Sequence, residues 1–110
     1  MKLPNYERAH VDLRKLYDYR LNTEHPRGRH KARIFLETLG FTAYDAQELQ
    51  QALLEAVTTN ESVYIGANDF GQRYAVDFLM QGRVGTATVR SLWIVRRGED
   101  FPRLISCYVL

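Results

Sequence analysis

The sequence is poor in the residues that build covalent or metal-held frameworks. It has a single cysteine, Cys107, so neither an internal disulfide nor a cysteine-rich metal cage can form. Its histidines, His10, His25 and His30, are too scattered for a recognisable zinc motif, and we expect no metal and no cofactor. Glycine-rich phosphate loops, Gly-x-Ser-x-Gly elbows and paired-carboxylate patterns are also missing from the sequence.

Long apolar runs are missing as well. Residues 1–6 lack the apolar core of a secretion signal, and no run approaches membrane-spanning length. Together with the lone cysteine, these features predict a cytoplasmic protein without a membrane partner. With 110 residues, of which 45% are hydrophobic and 25% charged, the sequence predicts one folded domain spanning 1–110.

Positive charge is concentrated in one stretch. The chain carries +2 overall, but residues 20–33 contain five cations and one acid, so this segment alone carries +4. Pro26 and Gly28 mark a loop there. The apolar residues that follow have the spacing of one helical face: Ala32, Phe35, Leu36 and Leu39. The cations therefore lie at a helix start, where the dipole is already positive, and a bound anion such as phosphate would relieve the conflict. A solvated basic face is the alternative.

The hydrophobic periodicity predicts an α+β fold. We expect three N-terminal helices and then a four-stranded antiparallel β-meander, with the helices packed on one sheet face. An extended lead-in is predicted at 3–11, helices at about 12–21, 29–39 and 42–58, and strands at 62–66, 72–80, 86–95 and 103–109. The third strand carries large apolar groups on both faces, so the sequence leaves open which face the helices cover.

Local signals mark the helix ends. Asp12 is the predicted N-cap of the first helix. Gly40 can end the second helix in a left-handed conformation. Thr42, with Asp45 three residues later, forms the pattern of a capping box at the start of the third helix.

The same basic segment carries a recognisable motif. His25-Pro26-x-Gly28, followed by Lys31-Ala32 and Phe35, resembles the signature of a small bacterial family of unknown function. That signature reads tyrosine-leucine-leucine-asparagine, histidine-proline-x-glycine, lysine-alanine and phenylalanine, and here the first part is the stretch 19–22. Further landmarks, at 1–7, 39–41, 93–94 and 102–104, extend the resemblance over nearly the whole chain. Two serines, Ser91 and Ser106, stand where threonine is usual in the family, and 109–110 replaces a proline-containing end.

The resemblance implies a function class. Members of this family are similar to domains of bacterial polymorphic toxins and of two-gene modules that include a small partner. The layout is also similar to that of the barnase, EndoU, colicin and RelE-like ribonuclease toxins, which is an analogy of fold. We therefore expect a metal-independent ribonuclease toxin. Its implied partners are RNA, with tRNA as a candidate, and a small acidic antitoxin or immunity protein from a neighbouring gene. The alternative is a non-catalytic interaction or immunity-type module whose basic helix start docks an acidic protein.

Metal-free RNA cleavage needs a base for the 2′-hydroxyl, an acid for the leaving 5′-oxygen and cations around the phosphorane. We predict that the catalytic residues are His25, Lys31, Ser91 and Ser106. Histidine is suited to proton transfer near neutral pH, and Lys31 flanks the apolar stripe of its helix, from which it can reach the sheet. A turn histidine beside Pro26 is the alternative for His25.

A second group is predicted to contact phosphate or RNA: Arg27, Arg29, His30, Arg103, Trp93 and Tyr108. If Ser91 and Ser106 share a sheet face, that face also holds the two aromatic residues, and it would suit a base and its phosphate. Structural alternatives are core packing for the aromatics, a solvated surface for His30 and edge protection for Arg103.

Strand alternation limits what can share a site. Arg90 and Ser91 should lie on opposite faces of their strand, and so should Arg103 and Ser106, so these four cannot line one site. Cys107 lies inside the last strand, and we predict that it packs in the core and is not a nucleophile.

Overall fold

The computed structural model describes the backbone of residues 1–110 and every side chain except that of Tyr19, which belongs to the family-like motif. Three helical elements precede four strands, as predicted. The helices are α1 at Leu13–Lys15, which continues as a π-helical turn at Leu16–Arg20, α2 at Arg29–Leu39 and α3 at Ala46–Thr59. The strands are β1 at Val63–Asn68, β2 at Gly71–Gln81, β3 at Thr86–Arg96 and β4 at Pro102–Val109.

The chain before α1 is more structured than the predicted extended lead-in. A 3-10 turn forms at Tyr6–Arg8, and Asn5 before it has a φ angle of 50°. His10 then pairs with Arg103 of β4 through an isolated parallel bridge. The prediction missed the turn, although asparagine is one of the few residues that tolerate the left-handed conformation.

The predicted helix caps are confirmed. Asp12 accepts a hydrogen bond from the backbone N–H of Arg14 at 3.0 Å. Gly40 ends α2 with a φ angle of 72°, a conformation that glycine adopts without a steric penalty. Thr42 and Asp45 form the capping box, which begins with a 3-10 turn at Ala43–Asp45 and leads into α3.

The sheet has the order β1-β2-β3-β4, and each neighbouring pair is antiparallel. A bulge interrupts the pairing of β3 with β4. Leu92 faces Ser106 and Trp93 faces Leu104, so Ile105 is an extra residue in β4. The bulge shifts the alternation of side chains along β4, and the strand periodicity of the sequence did not reveal it.

The helices cover one face of the sheet. α2 lies over β3 and β4, and α3 lies over β2. On this covered face the sheet contributes residues that belong to the hydrophobic core: Val76, Phe78, Met80, Val89, Trp93, Leu104 and Cys107. We call the opposite face, which carries Ala75, Asp77, Arg90, Leu92 and Tyr108, the open face. None of the helices in the described part of the chain combines the length and the apolar character needed to cross a membrane.

The turn between β2 and β3 docks on the end of α2. The backbone N–H of Arg83 donates to the Leu39 carbonyl at 2.8 Å, which satisfies a group at the helix C-terminus. The neighbouring Gly82 lies so close that a Cβ atom there would be 2.3 Å from the Leu39 oxygen. Only a residue without a side chain fits this position.

We therefore expect Gly82→Ala to destabilise the fold. Relieving the overlap with Leu39 requires the turn to move away from α2, and overpacking of this kind costs about 1–3 kcal/mol. Urea denaturation of the variant, with the exposed neighbour substitution Gln81→Ala as control, measures the loss. Equal free energies of unfolding for Gly82→Ala and the wild type would show that the turn is not held in this position.

Candidate functional site

The basic segment forms the loop before α2 and its first turns. Arg27, Arg29 and His30 are exposed. The helix starts at Gly28, which offers no side chain as a cap. The imidazole of His25 partly takes that role, because its Nδ1 atom accepts the backbone N–H groups of Arg27 and Gly28, each at 3.1 Å.

This geometry fixes the tautomer of the neutral His25 ring. A nitrogen that accepts hydrogen bonds carries no proton, so the proton of the neutral ring lies on Nε2. Nδ1 is therefore occupied by the loop, and the neutral ring can act toward a ligand only as a donor. These contacts are those expected of a histidine that stabilises a turn, which was the alternative for His25. If Nδ1 of His25 were the general base, its hydrogen bonds to the loop would have to break.

Lys31 reaches the edge of the sheet. Its Nζ atom lies 4.4 Å from the centre of the Tyr108 ring, a cation–π arrangement between α2 and the edge strand β4. Tyr108 lies on the open face, because it is paired with Arg90 of β3. Tertiary packing thus brings together Lys31, a predicted catalytic residue, and Tyr108, a predicted phosphate- or RNA-contacting residue. The position of Lys31 beside the apolar stripe of α2 suggested that it could reach the sheet.

Ser91 and Trp93 lie on the covered face. The Ser91 hydroxyl donates to the Val76 carbonyl at 2.7 Å and accepts from Trp93 Nε1 at 2.8 Å. Both side chains are fully buried. Their mutual hydrogen bonds satisfy polar groups inside the core. Neither side chain can contact a substrate on the surface in this structure, and the core alternative for Trp93 agrees with what is observed.

Ser106 lies on the open face with Tyr108, because it is paired with Leu92. The condition that Ser91 and Ser106 share a face is therefore not met. The prediction that Arg103 and Ser106 lie on opposite faces is wrong for a related reason. The bulge at Ile105 adds one residue between them, so Arg103, paired with Ile94, lies on the same face as Ser106.

An ion pair on the open face was missed by the sequence analysis. Arg90 Nε and Nη2 donate to the two carboxylate oxygens of Asp77, both at 2.8 Å. The hydrogen bonds from Arg90 hold the pKa of Asp77 below its ordinary value, and burial opposes them. The pKa of Arg90 is raised, first by its hydrogen bond to Asp77 and by the charge of that carboxylate, and then by a hydrogen bond with Tyr108.

Asp77, Arg90 and Tyr108 therefore form one row across β2, β3 and β4, which we call the charged row. It borders a groove of ≈ 570 Å³ on the open face. The groove is lined by Glu61, Val63, Ile65, Ala75, Asp77, Arg90, Leu92 and Tyr108. The only sequence signal for Asp77 was an acid inside an apolar strand, and its partner is evident only from the strand register.

A second cavity lies at the other end of the sheet. This cavity of ≈ 660 Å³, which we call the cationic cleft, is lined by five cations and one acid, Asp69, together with uncharged residues. Its cations come from four separate segments: Lys15, Arg73, Arg96, Arg97 and Arg103. Arg103 is paired with Glu99 at 2.9 Å, and its guanidinium lies 4.8 Å from the Phe101 ring centre. Apart from Arg103, none of these cations was predicted as a site residue.

Cys107 packs in the core, as predicted. Burial raises the pKa of its thiol to about 12, although the charges of Arg20 and Lys31 act in the opposite direction. The thiolate needed for nucleophilic attack is therefore scarce at neutral pH. Among the described residues, no group of three or more histidine, cysteine, aspartate or glutamate side chains is placed to hold a metal ion.

We expect Ser91→Ala to act on stability. The substitution leaves the buried Nε1–H of Trp93 and the Val76 carbonyl without their present partner, and an unsatisfied buried group costs about 1–3 kcal/mol. Chemical denaturation measures this loss. Ser91→Thr, which keeps the hydroxyl, is the matched control and should lose less. If the alanine variant is as stable as the wild type, the hydrogen bonds of Ser91 do not stabilise the core.

The ion pair of the charged row predicts a pH dependence. Because the pKa of Asp77 is lowered in the folded state, its contribution is fully present above its unfolded pKa of about 3.9 and is lost as pH falls through the folded value. The difference in unfolding free energy between wild type and Asp77→Asn should be constant near neutral pH and shrink below about pH 4. Denaturation between pH 7 and pH 3 measures it, with Glu37→Gln on the exposed side of α2 as control. A difference that grows on acidification would contradict the prediction.

The chain is similar to known proteins in its fold and in its family. No curated protein sequence matches the chain. A similar solved structure is a chain of the contact-dependent growth inhibition toxin–immunity protein complex from Klebsiella pneumoniae 342, with a TM-score of 0.67 and 15% sequence identity. The match covers 91% of this chain and 98% of that chain, so the two share a fold over nearly their whole length. A family profile matches residues 2–110, and the chain therefore belongs to the family described as "Domain of unknown function (DUF6883)".

Proposed function

We propose that this protein is a metal-independent ribonuclease of the bacterial toxin type, with its site at the charged row on the open face. The observation that carries the proposal is the meeting of Lys31 with Tyr108, at 4.4 Å, at the end of the row formed with Arg90 and Asp77. Metal-free phosphate-ester chemistry requires a base, an acid and positive charge, and a carboxylate, a phenol and two cations can supply them.

The reaction is an attack of the RNA 2′-oxygen on the adjacent phosphorus. The new O2′–P bond forms, the P–O5′ bond breaks, and the products are a 2′,3′-cyclic phosphate and a 5′-hydroxyl. One carboxylate oxygen of Asp77 gives up its hydrogen bond from Arg90 and takes the proton of the 2′-hydroxyl, because those hydrogen bonds otherwise hold the pKa of Asp77 low. The phenol of Tyr108 protonates the 5′-oxygen. Water later restores both protonation states.

The cations stabilise the charge that develops on the phosphorane. Asp77 engages Nε and Nη2 of Arg90, which holds the guanidinium plane in a fixed orientation beside the groove. Lys31, above the ring of Tyr108, adds positive charge from the side of α2. Ser106 lies on the same face in the neighbouring row, where it is 9% exposed.

The proposed catalytic residues differ from those predicted from the sequence. Lys31 and Ser106 remain in the site, whereas Ser91 is enclosed by the core and His25 is bound to its own loop. Asp77 and Arg90 take their places. We further propose that the enzyme acts on cytoplasmic RNA, with tRNA as a candidate, and is inhibited by a small acidic partner. The similar fold within a toxin–immunity protein complex supports that assignment.

Expression in a bacterial host tests the proposal. Wild type should arrest growth and degrade total RNA or tRNA, and Lys31→Ala, Arg90→Gln and Tyr108→Phe should each reduce cleavage by roughly 100-fold or more, as expected when a group that stabilises the transition state is removed. Arg33→Ala, an exposed cation two residues along α2, is the matched control for Lys31 and should cleave normally. Purified proteins incubated with RNA in the presence of EDTA give the direct measurement.

A wild-type protein that neither arrests growth nor cleaves RNA would overturn the enzyme assignment. Cleavage that survives in the three site variants would overturn the site. If His25→Ala abolishes cleavage and Tyr108→Phe does not, His25 in the loop before α2 transfers the proton, and Tyr108 does not.

A second candidate is an interaction or immunity-type module. It is favoured by the exposed cations at the start of α2, Arg27, Arg29 and His30, none of which lines the groove of the charged row. Such a surface would dock an acidic protein. In that case Arg27→Glu/Arg29→Glu would abolish partner binding, while substitutions in the charged row would leave it unchanged.

A further inference from the structure

The cationic cleft is assembled by the fold and has no counterpart in the linear sequence. Lys15 comes from the end of α1, Arg73 from β2, Arg96 and Arg97 from the end of β3, and Arg103 from the start of β4. Asp69 is the one acid among the described lining residues. A cavity of ≈ 660 Å³ is within the usual size of small-ligand sites and is large enough for a nucleotide.

The charges of these cations are only partly balanced by acids. Arg103 pairs with Glu99, and Lys15 Nζ donates to the Leu104 and Ile105 carbonyls at 3.2 and 3.4 Å. No ion pair between described side chains includes Arg73, Arg96 or Arg97. Because like charges gathered around one cavity repel each other, the cleft is a natural site for an anion.

Arg73 gives independent support. Within the described part of the chain, its Nε–H is buried and has no hydrogen-bond partner. Buried donors are nearly always satisfied, so an unsatisfied donor that lines a cavity is open to an external acceptor. A phosphate oxygen is such an acceptor, and the guanidinium fork of arginine matches phosphate geometry.

An aromatic side chain stands at the rim of the cleft. Phe70 is 73% exposed at the tip of the β1–β2 turn. The turn is held in place, because the Phe70 carbonyl accepts the N–H of Arg97 at 2.9 Å and Asn68 Oδ1 accepts the N–H of Phe70 at 2.8 Å. An ordered, exposed ring beside cations is the arrangement on which unpaired bases stack.

The cleft and the charged row belong to the same face. Arg73, Ile94 and Arg103 are cross-strand partners, and so are Asp77, Arg90 and Tyr108. Arg73 and Asp77 are four residues apart on β2, which places the two rows about 13 Å from each other. The row between them consists of Ala75, Leu92 and Ser106, and two of its three side chains are apolar. A single strand of RNA matches this arrangement, because its phosphates can lie at the two charged rows and a base can lie on the apolar side chains between them.

We propose that the cationic cleft is a second RNA subsite, which binds a phosphate of the strand at Arg73, Arg96 and Arg97 and stacks an unpaired base on Phe70. The inference rests on the proposed function, because it extends the RNA bound at the charged row along the open face. The ligand class is single-stranded RNA, since a base must be unpaired to lie on the ring.

Binding of a fluorescein-labelled single-stranded oligoribonucleotide tests the subsite. The measurements use Lys31→Ala as the background, because its expected loss of cleavage, roughly 100-fold or more, keeps the RNA largely intact during the titration. Adding Arg96→Gln/Arg97→Gln should weaken binding about tenfold or more and lower the slope of log affinity against log salt by roughly 0.7, because the cleft holds one phosphate and each neutralised phosphate contributes about 0.7 to that slope. Phe70→Ala should weaken binding roughly fivefold or more and leave the slope unchanged, because it removes stacking and not charge.

The control removes the same charge elsewhere. Arg14 and Arg33 are exposed and line neither the cleft nor the groove of the charged row. Arg14→Gln/Arg33→Gln should therefore bind RNA nearly as well as the background protein. Thermal melts of all variants report whether each one folds. Arg96→Lys/Arg97→Lys keeps the charge and should restore most of the salt slope.

The outcomes separate this subsite from the proposed function. RNA binding that depends on the cleft, in a protein that cleaves no RNA, would support the subsite and reject the ribonuclease. Cleavage by wild type together with equal RNA binding by the Arg96→Gln/Arg97→Gln and control variants would reject the subsite and keep the enzyme. The proposal would be overturned in favour of an acidic protein partner if the cleft does not bind RNA but binds polyglutamate, and if that binding depends on Arg96 and Arg97.

Discussion

Packing of α2 against the covered face of β3 and β4 is the constraint on which the arrangement of this protein depends. Phe35 and Leu39 of α2 belong to the same core as Trp93 of β3, and this packing fixes the position of the helix along the sheet. Lys31, one turn before Phe35, is thereby brought to the edge strand and over Tyr108. Because the helices occupy one face only, the other face keeps its polar row and its grooves accessible.

Positive charge is used in two different ways. At the start of α2 the cations are neighbours in sequence and remain exposed, against the direction of the helix dipole. In the cationic cleft they come from distant segments and surround a cavity, where one buried nitrogen of Arg73 lacks a protein acceptor within the described residues. Concave surfaces lined by one sign of charge focus the electrostatic potential more strongly than convex ones do. The cleft is therefore the better anion site, although the helix start has the higher charge density along the chain.

Much of the fold could be predicted because its signals are local. The caps at Asp12, Gly40 and Thr42 depend on hydrogen bonds within a few residues, and the helix and strand periods are visible in short windows. Among the site residues, Lys31, Ser106 and Tyr108 were expected near the sheet. Sequence alternation placed Arg103 and Ser106 on opposite faces, because one bulged residue leaves no trace in the hydrophobic pattern.

The order of the elements, the helix caps and the α+β class can be predicted from the amino-acid sequence, since each of these follows from the side chains of a continuous segment. Only long-range packing sets which sheet face the helices cover, which residues pair across strands and where the two cavities lie. Asp77 meets Arg90 through strand register, and Lys15 meets Ile105 across most of the chain length. Such contacts depend on long-range packing, in which a shift of one residue moves a side chain to the other face, and no local pattern encodes that choice.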